Sequence, residues 1–319
     1  MSIRSAILLL GYRRPQLILD RLRVLKNLEI KNLYIVIDKS NEQNRKLFNL
    51  IFALYNKSPQ LNTKLTVIFR NKNLGLTSNI ITSIDEVLSK HDKIIVIEDD
   101  VLINSASIIY LDRAIQNFSK FSNFGAVSGF SSITGPKYLF KNALLNYWRP
   151  TVYFPCWGWG TTKRVWELHK KRLINLNLDY VSEIKSGAFQ TFSKQTKAIW
   201  NGRFMKSRIQ PNRTWDIPFQ ETLFLFNLVV WTPIFAKTTN VGFDDHRASN
   251  TKLEKPWWVP ESIRTEVNLQ KIKFVQKKYV VNILLILDKL TFAADFKFQQ
   301  RYISWKKKYN IKNKKSALL

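Results

Sequence analysis

The chain has 319 residues and 45% apolar content, which is enough for a sizeable buried core and argues against wholesale disorder. Its 51 Lys and Arg against 23 Asp and Glu give a net charge of +28, a field that draws anions without choosing among nucleic acid, anionic lipid and acidic glycans. The single cysteine, Cys156, excludes an intrachain disulfide and a zinc site built from cysteines.

A lone cysteine suits a reducing compartment. The apolar runs Ile7 to Leu10 and Val280 to Leu287 are both too short for a signal h-region or a membrane span, so the expected location is cytoplasmic.

Ala6 to Leu10 is a continuous apolar run ending at Gly11, the pattern of a buried parallel strand. Pro15 opens a helix whose apolar face carries Leu17, Leu19, Leu22, Leu25 and Leu28. Leu33 to Ile37 is the next strand and stops at Asp38. A helix over Asn44 to Tyr55, a strand over Leu65 to Phe69 and an amphipathic helix over Thr77 to Ser89 follow. Lys93 to Ile97 is a fourth strand, running straight into Glu98-Asp99-Asp100, with a helix expected over Ser105 to Asn117.

Strand and helix in this alternation predict an α/β fold, a Rossmann-like, mostly parallel central sheet flanked by helices. Ligands in such sheets sit beyond the carboxyl ends of the strands. Gly11-Tyr12-Arg13, Asp38, Asn73-Leu74-Gly75 and the acidic triplet all fall there. No GxGxxG follows the first strand and no GxxxxGK[ST] occurs, so a nucleotide would be held by side chains and a metal instead of a glycine cradle.

From about 125 to 250 the text turns to mixed sheet and long loops rich in aromatics, including Phe154-Pro155-Cys156-Trp157-Gly158-Trp159-Gly160. The expected organisation is one domain over 1–255, with a nucleotide-binding half (1–125) and an acceptor half (126–255), followed by a basic helical extension over 256–319. Residues 271–319 carry 13 basic and 2 acidic side chains interleaved with aromatics. That pattern suits an anionic membrane surface, or equally a helical layer with a solvated basic face.

Three consecutive carboxylates after a buried strand repel one another, and a hard divalent ion bound by one or two of them with diphosphate oxygens relieves that repulsion. Strand alternation places Glu98 and Asp100 on one side and Asp99 on the other. The competing reading is a solvated loop capping the following helix.

Ile94 to Val101, with its Glu98-Asp99-Asp100 core, resembles the strand and acidic motif of the N-acetylglucosaminyltransferase I-like GT-A glycosyltransferases and of bacterial enzymes with the same pattern. The order of further features is similar. Arg13 follows the first strand, Asp38 ends the second and Asn73-Leu74-Gly75 follows the third. Ser128-Gly129-Phe130, the Trp157-Gly158-Trp159-Gly160 segment, Arg164 with Trp166, Trp215-Asp216 and Thr238 to His246 come after the acids. The likeness spans about residues 5 to 250.

The resemblance implies a GT-A fold and transfer of a sugar from a nucleotide-diphospho-sugar, most simply UDP-linked, to a glycan or glycolipid acceptor with inversion. It implies a Mn²⁺ or Mg²⁺ cofactor on Asp100, Asp99 at the ribose, Glu98 at the donor sugar, Asp38 at the uracil edge and Arg13 near the diphosphate. Asn73 and Gly75 count with these donor-binding residues. Asp216 becomes the general base, although the family's next acid is Ile217 here.

Asp216 also reads as the N-cap of a helix from Pro218 to Asn227, and the two roles are compatible. His246, beside Asp244 and Asp245, reads as a metal or phosphate ligand or as a solvated loop residue. Trp157 and Trp159 read as an acceptor platform or as a wedge under the site. Cys156 reads as a small buried residue without nucleophilic activation. His91 and His169 sit among charges with no catalytic part. Two other readings remain: a sugar-phosphate nucleotidyltransferase, which Gly11-Tyr-Arg-Arg-Pro matches poorly, and a basic nucleic-acid-binding protein, for which no binding module is visible.

Overall fold

The computed structural model describes residues 2–57, 63–131, 147–151, 153–174, 184, 187–190, 192–244, 259 and 273–274. β1 (Ser2–Ile3) leads into β2 (Ala6–Gly11), whose six residues are all buried. α1 (Pro15–Leu25) starts with Pro at its first turn, where a missing N–H costs nothing, and buries Ile18, Leu22 and Leu25. β3 (Glu29–Ile30), β4 (Asn32–Ile37), α2 (Glu42–Lys57), β5 (Lys64–Phe69) and α3 (Gly75–Leu88) complete the first alternation.

β6 (Lys93–Glu98) then meets the acidic turn, and β7 (Val101–Leu102) leaves it. α4 (Ser105–Phe118) is capped by Asn104, whose side chain accepts from the Ser107 amide at 2.8 Å. The second half holds β8 (Phe124–Ser128), β9 (Tyr147–Thr151), β10 (Trp159–Thr162), α5 (Lys163–Ile174), α6 (Gly187–Gln190), α7 (Lys194–Ile209), α8 (Asp216–Leu225), β11 (Val229–Pro233), β12 (Thr239–Asn240) and β13 (Lys273–Phe274).

Among the described residues nine strands form one sheet in the order β13-β9-β11-β8-β10-β6-β2-β4-β5. The α/β expectation holds, with one refinement: the sheet is mixed. β5, β4, β2 and β6 are mutually parallel, β10 runs antiparallel between β6 and β8, and β9 is antiparallel to β11. Those four parallel strands are the ones whose apolar runs were legible; β2, β4 and β6 are covered on both faces and so apolar almost throughout, whereas the edge strand β5 stays partly exposed.

Their registers align Gly11 with Ile37, Ile37 with Phe69 and Leu10 with Glu98, so their carboxyl ends share one edge. The core is one large cluster spanning this sheet and α1 to α5, with a smaller aromatic cluster of Phe189, Phe192, Trp200, Phe204 and Phe224 around α7 and α8.

The expected extension from 256 onward lies outside the described residues except at three positions. Val259 is buried, and Lys273–Phe274 pairs in parallel with Tyr147 and Trp148 of β9 as an edge strand, where a helix was expected. No described helix is long and apolar enough to cross a membrane.

Candidate active site

The acidic segment straddles the end of β6. Glu98 is the last residue of the strand, paired with Leu10, whereas Asp99 and Asp100 form a turn before β7. β7 pairs antiparallel with β12, Val101 opposite Asn240, and the Val241 amide donates to the Asp100 carbonyl at 2.9 Å. The acids are thereby held between the parallel sheet and a segment from the far end of the chain.

The turn overturns the alternation argument, because Asp99 and Asp100 face the same group. That group is Arg14. Its Nε donates to Asp99 Oδ2 at 3.2 Å, its Nη2 also binds Asp99 Oδ1, and Nη2 donates to Asp100 Oδ2 at 3.0 Å. The repulsion that seemed to require a metal is relieved in part by this guanidinium.

Burial works against the Arg14 charge, but Asp99 and Asp100 together outweigh it and raise the pKa. Arg21, buried in α1, donates to the Val101 carbonyl at 2.6 Å and braces the turn from behind.

The electrostatics show what else comes together. Burial, then Asp100, Asp99 and Asp216, hold the Glu98 carboxyl well above the usual carboxylate range, with Arg14 opposing. Burial and Asp100 push Asp99 up to about 6, again against Arg14. Cys156 is half-buried and not enclosed as expected, but burial, then Asp216, Glu98 and Asp100, push its thiol far up, so it stays protonated. Asp216 therefore lies close enough to Glu98 and Cys156 for its charge to act on both, which brings together residues from both halves of the chain.

Asp216 is the first residue of α8 and not its cap. Trp215 holds the cap position, and the Thr214 hydroxyl donates to Asp216 Oδ1. A carboxylate in the first helical turn interacts favourably with the helix N-terminus.

The second group at the sheet edge is Asp38. Its Oδ1 accepts from the Lys39 and Leu74 amides, both at 2.9 Å, and its Oδ2 accepts from the Gly75 amide at 3.0 Å. The visible work of Asp38 is thus to clamp the Asn73–Gly75 turn to the end of β4. Gly75 has φ +74, which favours glycine, and its amide also donates to Asn73 Oδ1 at 2.8 Å. Asn73 Nδ2 donates to the Tyr12 hydroxyl at 2.7 Å, and the Arg13 guanidinium lies over the Tyr12 ring at 4.5 Å. Arg13 is exposed there, so the arginine at the acids is its neighbour. The signal in the sequence was Pro15: its fixed φ starts α1 and leaves Arg14 as a cap residue whose own side chain makes no capping bond.

The two indoles separate. Trp159 is 1% exposed, stacks on Trp215 at 5.2 Å and meets Phe154 edge-on at 4.9 Å, so it is a wedge under the site and not an acceptor platform. Trp157 is half-buried between Phe130 and Phe243, with ring centroids at 4.7 and 5.6 Å. Between the indoles, Gly158 has φ +71, and its carbonyl accepts from the Gly129 amide at 2.8 Å.

His169 has the charge of Arg172 near it, as expected, but it is fully buried: Nδ1 bonds the Thr222 hydroxyl at 2.8 Å, and burial, then Arg172, lower its pKa to about 3. His91 pairs with the Tyr34 hydroxyl at 2.9 Å. His246 and Asp245 lie outside the described residues.

Among the described residues no group of three or more His, Cys, Asp or Glu converges as a metal cage. The donor set is nonetheless all oxygen, one oxygen of Asp100 makes no hydrogen bond among the described residues, and Arg14 Nη1 is buried without a partner. These residues fit a hard divalent ion that takes one or two protein carboxylates and completes its shell from a bound anion.

No family model and no curated protein matches the chain. Solved structures that match include glucosyl-3-phosphoglycerate synthase from Mycobacterium tuberculosis in complex with Mn²⁺, UDP-glucose and phosphoglyceric acid, at 10% identity and TM-score 0.31, covering 50% of this chain and 57% of that one. The same enzyme with Mg²⁺ and UDP matches at 9% identity and TM-score 0.30, covering 50% and 57%. The chain spans little more than half the length of these structures, and likeness at this level transfers nothing about activity.

Proposed function

We propose that the chain is a metal-dependent glycosyltransferase of the GT-A type, moving a sugar from a nucleotide-diphospho-sugar, UDP-linked in the simplest case, to a hydroxyl of a glycan or glycolipid with inversion. The observation that carries this reading is that Asp216 comes close enough for its charge to act on Glu98, which with Asp100 stands at the carboxyl edge of the parallel strands. Ligands collect at that edge in open α/β sheets, and the chemistry needs two separated functions there: charge stabilisation for a leaving diphosphate and a base for the attacking hydroxyl.

In this reading Asp100 holds Mn²⁺ or Mg²⁺ together with the donor phosphates. The metal, when bound, supplies stabilisation of negative charge on the leaving diphosphate. Arg14, with its unpartnered Nη1, contributes to the same end from the protein. Asp216, oriented by Thr214, takes the proton of the acceptor hydroxyl. As that oxygen bonds to the anomeric carbon, the bond to the diphosphate oxygen breaks on the opposite face, which inverts the configuration. Trp157 lines the acceptor side, and Trp159 supports it from below.

The test is a thermal-shift screen of nucleotide sugars with and without Mn²⁺, followed by two variants. Selective, Mn²⁺-dependent stabilisation by one donor is expected. Asp100→Ala abolishes it. Asp216→Asn keeps it while lowering transfer by about 10²–10⁴, the usual range for a lost general base. A normal turnover rate in Asp216→Asn would remove Asp216 from the mechanism.

A further inference from the structure

Arg14 holds the acids in a way that leaves part of it unused. The Nε and Nη2 edge spans Asp99, Nη2 also reaches Asp100 Oδ2 at 3.0 Å, and Nη1 is enclosed with no hydrogen-bond partner among the described residues. An enclosed cationic donor at the edge of an acidic cluster is suited to an anionic oxygen. At the same time Asp100, the carboxylate that fits a divalent ion, already carries a cation. No third or fourth protein ligand is assembled among the described residues to compensate an ion for displacing it.

We propose that Arg14 is an internal counter-cation that occupies Asp100 when no metal is present, and that it releases Asp100 when a diphosphate takes its guanidinium, so that divalent metal and diphosphate bind as one unit. The diphosphate half rests on the reading in the preceding subsection; the hold on Asp100 stands on the observed ion pair alone. Nη2 holds Oδ2, so a metal on the other oxygen of Asp100 sits close to a second cation and must displace Arg14 or bear its repulsion. A diphosphate offers Nη1 and Nη2 acceptors and offers the metal its missing oxygens, which relieves both costs at once. Linkage then requires the effect to be mutual: the diphosphate tightens metal binding by the factor by which metal tightens diphosphate binding.

The experiment measures free Mn²⁺ by electron paramagnetic resonance during titration of the full chain, with and without saturating UDP, for wild type, Arg14→Gln and Arg14→Lys. Arg14→Gln is expected to bind Mn²⁺ alone about tenfold more tightly than wild type. UDP is expected to tighten Mn²⁺ binding about tenfold or more in wild type and by less than about threefold in Arg14→Gln, within the usual range of coupling between sites. Arg14→Lys keeps the charge without the fork, so its Mn²⁺ affinity alone stays near wild type while the UDP effect shrinks.

Circular dichroism melts check the fold, and Arg14→Met carries the same comparison if Arg14→Gln is unfolded. Equal or weaker Mn²⁺ binding in the neutral variants overturns the proposal whatever UDP does. A UDP effect in Arg14→Gln as large as in wild type also overturns it. A wild type that binds Mn²⁺ but no UDP defeats the glycosyltransferase reading and the coupling to diphosphate, while the Mn²⁺-only comparison still decides the hold on Asp100.

Discussion

Asp38→Asn changes one functional group and isolates what the carboxylate does. In the native chain Oδ1 serves the Lys39 and Leu74 amides, and Oδ2 serves the Gly75 amide at 3.0 Å. A carboxamide keeps an oxygen for the first two and sets its NH₂ against the Gly75 N–H. Gly75 retains Asn73 Oδ1 at 2.8 Å, so its amide is not orphaned. Hydrogen bonds to charged groups contribute about 1.5–3 kcal/mol, and with that partial compensation the expected loss is about 2 kcal/mol.

For a chain of this length such a loss lowers Tm by roughly 3 °C, read by differential scanning calorimetry on the ligand-free protein. A Tm within about 1 °C of wild type would refute the clamp reasoning. A residue that only reads a nucleobase leaves ligand-free stability alone. A stable Asp38→Asn that loses preference for uridine over adenosine diphosphate would therefore restore the base-reading role.

Gly158→Ala places a Cβ 2.9 Å from Thr238 Cγ2 at a backbone φ of +71, so a loss of about 1–3 kcal/mol is expected in urea denaturation. Thr238→Ser in the same chain recovers the steric part and not the backbone part. Glu221 is fully buried between Arg172 and Arg208, and burial followed by Arg208 lowers the Arg172 pKa to about 10. Glu221→Gln leaves both cations without their shared anion and is expected to cost about 3–5 kcal/mol; a loss under about 1 kcal/mol would contradict the triad.

His169 folds as a neutral imidazole with a pKa near 3, whereas its unfolded value is 6.5. Below pH 6.5 the unfolded chain takes up a proton that the native one refuses, so stability falls with pH, by about 2 kcal/mol at pH 5. The slope between pH 6.5 and 5 should flatten in His169→Gln, measured as the difference from wild type in urea midpoints. An unchanged slope would mean that the imidazole is already protonated in the fold.

What was local was legible in the residues. Apolar runs such as Ala6 to Leu10 and Ile94 to Ile97 specify strands covered on both faces, because every side chain in them must leave water. Pro15 marks a helix start through its fixed φ, and an acidic triplet directly after a buried strand points to the carboxyl edge of the sheet. Side-chain direction beyond the last strand residue was not legible, since period-two alternation lapses once the chain turns. Asp99 and Asp100 face one guanidinium for that reason, and Arg14 replaces Arg13 for the same one.

Tertiary structure alone decided which partners meet. Asp38 is saturated by amides of a turn that follows another strand, Trp159 is covered by Trp215 and Phe154, and Asp216 brings its charge to Glu98 from the far half of the chain. Such encounters depend on how β10 inserts antiparallel between β6 and β8 and how β12 closes on β7. Residue spacing encodes the period of an element but not the distance between side chains on elements that are remote in the chain.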